Sequence, residues 1–146
     1  MIGIIMGSQS DMEIMKEAAE VLDKLGVAYD LAVASAHRNP EKVSAFARNA
    51  AGKYKCIIAG AGKAAHLPGV IAGQTTLPVI GVPIKTSDLG GLDSLLSIVQ
   101  MPQGVPVATV AINGARNAGI LAAQICALSD AKIAKAVSAY KEALKG

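Results

Sequence analysis

The chain has no tryptophan, one phenylalanine and three tyrosines in 146 residues. So few rings leave no set of stacking platforms for single-stranded bases. A net charge of +3 is also too small for the electrostatic footprint of a nucleic-acid binder. Cysteine is confined to Cys56 and Cys126, far apart and each in an apolar context. That excludes a disulfide framework and reads as two buried free thiols in a reducing cytosol. No His-x-x-His spacing and no cysteine cluster occurs, so no metal site is expected. Residues 94–115 carry no formal charge, which has the look of a membrane span. Gln100, Pro102, Gln103, Gly104, Pro106 and Asn113 interrupt that stretch, and a lipid-exposed helix does not tolerate such a series. The first residues, Met1-Ile2-Gly3-Ile4-Ile5-Met6, lack the basic region of a secretory leader. The expectation is a cytoplasmic protein with no membrane and no nucleic-acid partner.

Apolar residues make up 52% and charged residues 17% of the chain, against about a quarter charged in ordinary domains. At this length one domain spanning residues 1–146 is expected, with room for a proper core. The few charges are unevenly placed. From Ala64 to Ser129 only Lys85, Asp88, Asp93 and Arg116 are charged. Such a stretch is hard to solvate on a monomer, which predicts burial of part of it against other copies.

The pattern alternates strand and helix. Ile2–Met6 is a short apolar run fit for a parallel strand buried on both faces. A helix to about Leu25 follows, with Ser10 and Glu13 at capping-box spacing, Met12, Met15, Ala19 and Leu22 on one face, and Gly26 at its end. Tyr29–Ala34 reads as a second strand, and Pro40 opens a helix to about Ala50. Strands are predicted at Lys55–Ala61, Leu77–Val82 and Val105–Ile112. The Gly-rich exit of the first of these leads into a short helix. Further helices are predicted at Leu92–Val99, Ala115–Leu128 and Asp130–Leu144. Alternation of this kind implies right-handed crossovers and a parallel sheet of about five strands between two helical layers. Ligands of such sheets bind beyond the carboxyl ends of the strands, where strand order reverses.

Three loops follow strands directly and so share that edge. In Gly7-Ser8-Gln9-Ser10-Asp11, free N–H groups at a helix start and two hydroxyls suit a phosphate, and Asp11 suits ribose hydroxyls. An ordinary serine cap explains Ser10 equally well. In Ser35-Ala36-His37-Arg38, Arg38 offers a fork of donors for phosphate, or a plain surface charge. His37 is either a general acid and base or a packing residue. His66, in the Gly60–Gly69 stretch, carries the same two readings. The small residues around it allow either close approach to a flat ligand or a tight turn. The only two histidines of the chain thus fall on one side of the sheet.

These blocks are similar to the class I N5-carboxyaminoimidazole ribonucleotide mutases, the catalytic subunits also called phosphoribosylaminoimidazole carboxylases. The resemblance runs through Met6–Asp11, Ser35–Pro40, Ala59–Gly69, Pro78–Pro83, Asp93–Pro102 and Gly104–Thr109. It implies a flavodoxin-like three-layer αβα sandwich, a homo-octamer and a reaction without metal or organic cofactor. It also implies a ribonucleotide monophosphate substrate, whose carboxylate moves from an exocyclic nitrogen to a ring carbon by loss and recapture of CO2. By block position His37 shuttles the proton. Ser8, Asp11 and Arg38 bind the ribose phosphate, with Ser10, Ser35 and Ala36 nearby. Gly62, Ala64, Ala65, His66 and Leu67 line the carboxylate region. Two other activities fit the same scaffold, namely direct carboxylation of aminoimidazole ribonucleotide with CO2, as in class II relatives, and nucleotide binding without catalysis. The chain departs from the family pattern at Lys63, where the family usually has Gly, and at Met12, often aromatic there. A side chain at a position needing positive φ is strained by about 1–2 kcal/mol, and Lys63 either points to solvent or brings a cation near the migrating carboxylate.

Overall fold

A computed structural model describes residues 1–146. Five strands form one parallel sheet: β1 (Ile2–Met6), β2 (Tyr29–Val33), β3 (Ile57–Gly62), β4 (Val79–Ile84) and β5 (Ala108–Thr109). Six helices connect and cover them: α1 (Met12–Leu25), α2 (Pro40–Asn49), α3 (Leu67–Ala72), α4 (Leu92–Val99), α5 (Ala115–Ala127) and α6 (Ala131–Ala143). The spatial order is β2-β1-β3-β4-β5. The chain leaves β1 in one direction, returns past it to β3 and continues outward. Strand order therefore reverses between β1 and β3, as in flavodoxin-like sheets. No helix is long and apolar enough to cross a membrane.

The period of two along the strands builds two cores. On one face, Ile2, Ile4 and Met6 of β1, Ile58 of β3 and Ile80, Val82 and Ile84 of β4 pack with α1 and α5. On the other, Ile5, Ile57, Ala59, Ala61 and Val79 pack with Val43 and Ala47 of α2, Leu67 and Ile71 of α3 and Ile98 of α4. The first core is close-set because α5 presents Ala115, Ala118, Gly119, Ala122 and Ala123 to the interior. Helix α1 ends in a Schellman turn. Gly26, at φ 70°, donates to the Asp23 carbonyl at 3.1 Å, and Val27 donates to Leu22 at 2.9 Å. Cys56 and Cys126 are both buried and unpaired. Burial, followed by the nearby Cys126, pushes the Cys56 thiol up to about 12.

Three local expectations need correction. The capping box is formed by Ser8 and Asp11 around a 3-10 turn (Gln9–Asp11), not by Ser10 and Glu13. The loop enters the helix one tight turn early, because the Asp11 carboxylate reaches back to the Ser8 N–H at 3.0 Å. Next, β4 runs through Pro83 instead of stopping before it. The Gly81 and Pro83 carbonyls accept from Val110 and Asn113, so Pro83 faces the side where β5 has already ended, and its missing N–H leaves no ladder bond unmade. Finally, β5 is two residues long, not eight. It pairs only through Ala108 and Thr109, and the chain then turns at Asn113, which has a φ of 59°.

Gly119 fixes the approach of α5 to α1. A Cβ there would lie 2.4 Å from Val21 Cγ1 and 2.8 Å from the Ala18 carbonyl oxygen. Backbone cannot give way as a side-chain tip can, so Gly119→Ala is expected to cost about 1–3 kcal/mol despite its better helix propensity. Thermal unfolding checks this. A melting temperature equal to or above wild type would show that the helices separate freely.

Candidate active site

Parallelism puts the carboxyl end of every strand on one edge, and four loops meet there around a cavity of about 560 Å³. The β1–α1 loop contributes Gly7, Ser8, Ser10 and Asp11, and the β2–α2 loop Ser35, Ala36, His37 and Arg38. The β3–α3 segment contributes Ala61, Gly62, Lys63, Ala64, His66 and Leu67, and the β4–α4 loop adds Thr86. All but one of the site residues expected from the sequence line this cavity. The exception is Ala65, which is 1% exposed and packs into the core beneath its loop. Thr86 was missed, although it follows β4 as directly as the other loops follow their strands, so the same edge rule would have found it.

The serine loop is self-organised. Ser8 Oγ accepts from the Ser10 backbone N–H at 3.3 Å and from Ser10 Oγ at 3.0 Å. Asp11 is buried. Its carboxyl is raised above its usual value, chiefly by loss of solvation, while the Ser8 N–H and the Arg38 guanidinium pull it partly back. Ser35 Oγ accepts from the Arg38 backbone N–H at 3.2 Å, which tightens the turn carrying His37. Pro40 at the start of α2 and Asn39 capping it at 3.2 Å to the Lys42 N–H then set where that turn ends.

Two loops 29 residues apart bring the histidines together. His37 Nε2 and His66 Nδ1 are 2.7 Å apart, with the rings edge to face at 4.9 Å between centroids. One ring donates and the other accepts. Two N–H groups cannot face each other at this distance, so the pair in this arrangement carries no more than one positive charge. Both rings stay solvent-exposed at the cavity. Lys63 has a φ of 54°. Its side chain is largely exposed, and its ammonium forms an ion pair with Asp88 at the rim. No cluster of three or more His, Cys, Asp or Glu side chains is arranged to hold a metal ion.

Fold and site together define a flavodoxin-like α/β protein with a serine- and arginine-lined cavity and a hydrogen-bonded imidazole pair at its strand-order reversal. The family model described as AIR carboxylase matches residues 1–146, and the chain belongs to that family. It is 59% identical over 145 residues to the N5-carboxyaminoimidazole ribonucleotide mutase of Thermotoga maritima, covering 99% of this chain and 85% of that one. It is 56% identical over 145 residues to the enzyme of the same name from Pyrococcus abyssi, covering 99% and 83%. Among solved structures, Treponema denticola PurE superposes with a TM-score of 0.89 at 32% identity, covering 99% of this chain and 90% of that one.

A carboxyl raised by burial stabilises the fold when protonated. That contribution is present below the unfolded value and is lost as pH rises through the folded one. At neutral pH, ionised Asp11 therefore opposes folding. Asp11→Asn keeps an oxygen for the Ser8 N–H and removes the charge. Its melting temperature is expected to exceed that of wild type at pH 7–8, and the gap to close as pH falls through the carboxylate range. Thermal melts across pH measure this directly. A variant less stable than wild type at neutral pH would mean that the Arg38 attraction outweighs desolvation.

Proposed function

We infer that the protein converts N5-carboxyaminoimidazole ribonucleotide to 4-carboxy-5-aminoimidazole ribonucleotide in purine biosynthesis. One observation carries the site assignment. A hydrogen-bonded histidine pair opens on the same cavity as a serine–arginine cradle and a wall of small residues. The cradle suits the ribose phosphate: Ser8, Ser10, Ser35 and Arg38 all line the cavity and supply donors. Asp11 accepts from a ribose hydroxyl. Ala36, Gly62, Ala64 and Leu67 line the same cavity and leave a planar ring and its carboxylate room for close contact, and buried Ala65 supports that wall from behind.

His37 is the acid and base of the reaction. As imidazolium it gives its proton to the exocyclic nitrogen while the bond from that nitrogen to the carboxyl carbon breaks and CO2 is released. The electron-rich ring carbon then attacks CO2 to form the new carbon–carbon bond. Neutral His37 takes the proton from that carbon, and the aromatic ring is restored. The proton given in the first half is recovered in the second, so an isomerisation needs no net proton and a single titrating group serves both halves. The hydrogen bond to His66 orients the imidazole between its two tasks. Nothing in this sequence requires a strong nucleophile. What it requires is a cavity that retains CO2 and excludes water.

The chain acts as a homo-octamer in the cytoplasm. Supporting assembly, α4 and its flanks expose Leu89, Leu92, Leu96, Val99 and Ile112, with Leu89 71% exposed. These residues all lie in the charge-poor half of the chain, and an apolar face of this kind is costly to leave in water. A reducing compartment suits the two unpaired thiols.

His37→Asn is expected to lower turnover by about 10²–10⁴-fold or more while leaving affinity for the nucleotide largely intact. Steady-state kinetics with a parallel binding titration measure both, and near-normal turnover removes His37 from the acid–base role. The reaction itself is tested by supplying N5-carboxyaminoimidazole ribonucleotide and, separately, aminoimidazole ribonucleotide with bicarbonate. Efficient use of the first alone is expected. Preference for the second would make the chain a direct carboxylase, and use of neither would leave a nucleotide-binding module. Light scattering is expected to give eight chains of 14.8 kDa, and a stable monomer would overturn the assembly.

A further inference from the structure

Lys63 combines two features that a surface lysine does not ordinarily show together. Its backbone lies in the left-handed region at φ 54°, which side chains other than Gly, Asn and Asp visit rarely. Its ammonium crosses from the β3–α3 loop to Asp88 in the β4–α4 loop. The two loops already touch below the pair. β3 and β4 end in register at Gly62 and Ile84, and a Cβ on Gly62 would lie 2.6 Å from Thr86 Cγ2 and 3.2 Å from the Ile84 carbonyl oxygen. Lys63 and Thr86 both line the cavity, and His66, the partner of His37, is three residues further along the same loop. Asp93 adds a second negative charge in the neighbourhood of the lysine.

We propose that Lys63 and Asp88 form an ionic clasp across the rim of the site, which holds residues 62–66 down on the β4–α4 loop so that the carboxyl wall stays closed while CO2 is free. The proposal rests on the mutase reading above. The clasp opposes the strain of a left-handed lysine and ties the loop that carries His66 to a second strand end. Lys63 and Asp88 are positioning residues. They act through the wall and His66, not on the substrate. Both side chains are largely exposed, at 60% and 68%, so salt screens their attraction and its strength is modest. Exposed pairs of this kind shift a local equilibrium by about two- to fivefold. A shift of that size matters little to global stability. It matters to a site that must hold a small neutral gas through a second bond-forming step.

The test uses the full chain in four forms: wild type, Asp88→Asn, Lys63→Gly, and the charge-exchanged double variant Lys63→Asp with Asp88→Lys. Glycine keeps the left-handed backbone while removing the charge, and aspartate tolerates that conformation, so the exchange is sterically reasonable. Two readouts are taken. The first is amide hydrogen exchange across residues 62–66 in the ligand-free protein, at low and high salt. The second is the ratio of aminoimidazole ribonucleotide leaked to product formed from N5-carboxyaminoimidazole ribonucleotide, corrected for spontaneous decay. Asp88→Asn is expected to speed exchange and raise the leak ratio about two- to fivefold. High salt should bring wild type to the same exchange rate, and the exchanged pair should restore both readouts. Unchanged exchange and leakage in Asp88→Asn would overturn the clasp. So would a large defect in Lys63→Gly beside a silent Asp88→Asn, which would make Lys63 a direct substrate contact. If wild type fails to isomerise the substrate, the mutase reading falls, and hydrogen exchange still decides whether the clasp exists.

Discussion

The parallel ladder is the constraint from which the site follows. Parallel strands require crossover connections, the crossovers here are helices on both faces, and every strand then delivers its carboxyl end to one edge. Because strand order reverses between β1 and β3, the loops leaving those two strands depart toward opposite helical layers and open a crevice between them. Ser8, His37, His66 and Thr86 stand around that crevice on four different loops. None of them belongs to a regular element, yet each is held within a residue or a few of one. The rigidity of the site is borrowed from the sheet beneath it.

Small residues convert that frame into a usable cavity. Gly62 lies against Thr86, where a Cβ would come within 2.6 Å of Cγ2. Ala36, Ala61 and Ala64 line the cavity with little side-chain bulk. A floor of larger residues would fill the space that the proposed ring and carboxylate occupy. The same economy of size appears behind the sheet, where the Ala and Gly face of α5 lets α1 lie close. The polar groups of the cavity are few: one imidazole pair, one guanidinium, the Lys63 ammonium paired with Asp88, one buried carboxylate and several hydroxyls. That spareness suits the proposed reaction, which needs CO2 retained as well as a proton moved.

The first serine loop shows how local pattern and tertiary demand interact. Capping-box spacing occurs at Ser8–Asp11 and again, with glutamate, at Ser10–Glu13. The folded chain uses the earlier one, because Asp11 is buried at the β1–α1 junction and needs the Ser8 N–H to offset part of its desolvation. Ser10 is thereby released from capping α1 and turns to the cavity with its hydroxyl on Ser8. Pro83 carries a similar lesson. Read alone, a proline ends a strand, whereas here the neighbouring strand has ended first and the ladder loses nothing.

Periodicity and punctuation in the chain determined the alternation of strands and helices, the two-faced burial of β1, β3 and β4, and the gathering of three polar loops on one edge. These are local or nearly local consequences of side-chain size and backbone preference, and they are legible for that reason. Motif order carried the family as well. Only the tertiary structure decided that His37 meets His66 at hydrogen-bond distance, that Ala65 turns inward, that Thr86 joins the wall, and that Lys63 reaches Asp88. Each of these is a contact between segments far apart in sequence. Its existence depends on ångström-scale placement by the sheet, which residue spacing along the chain does not encode.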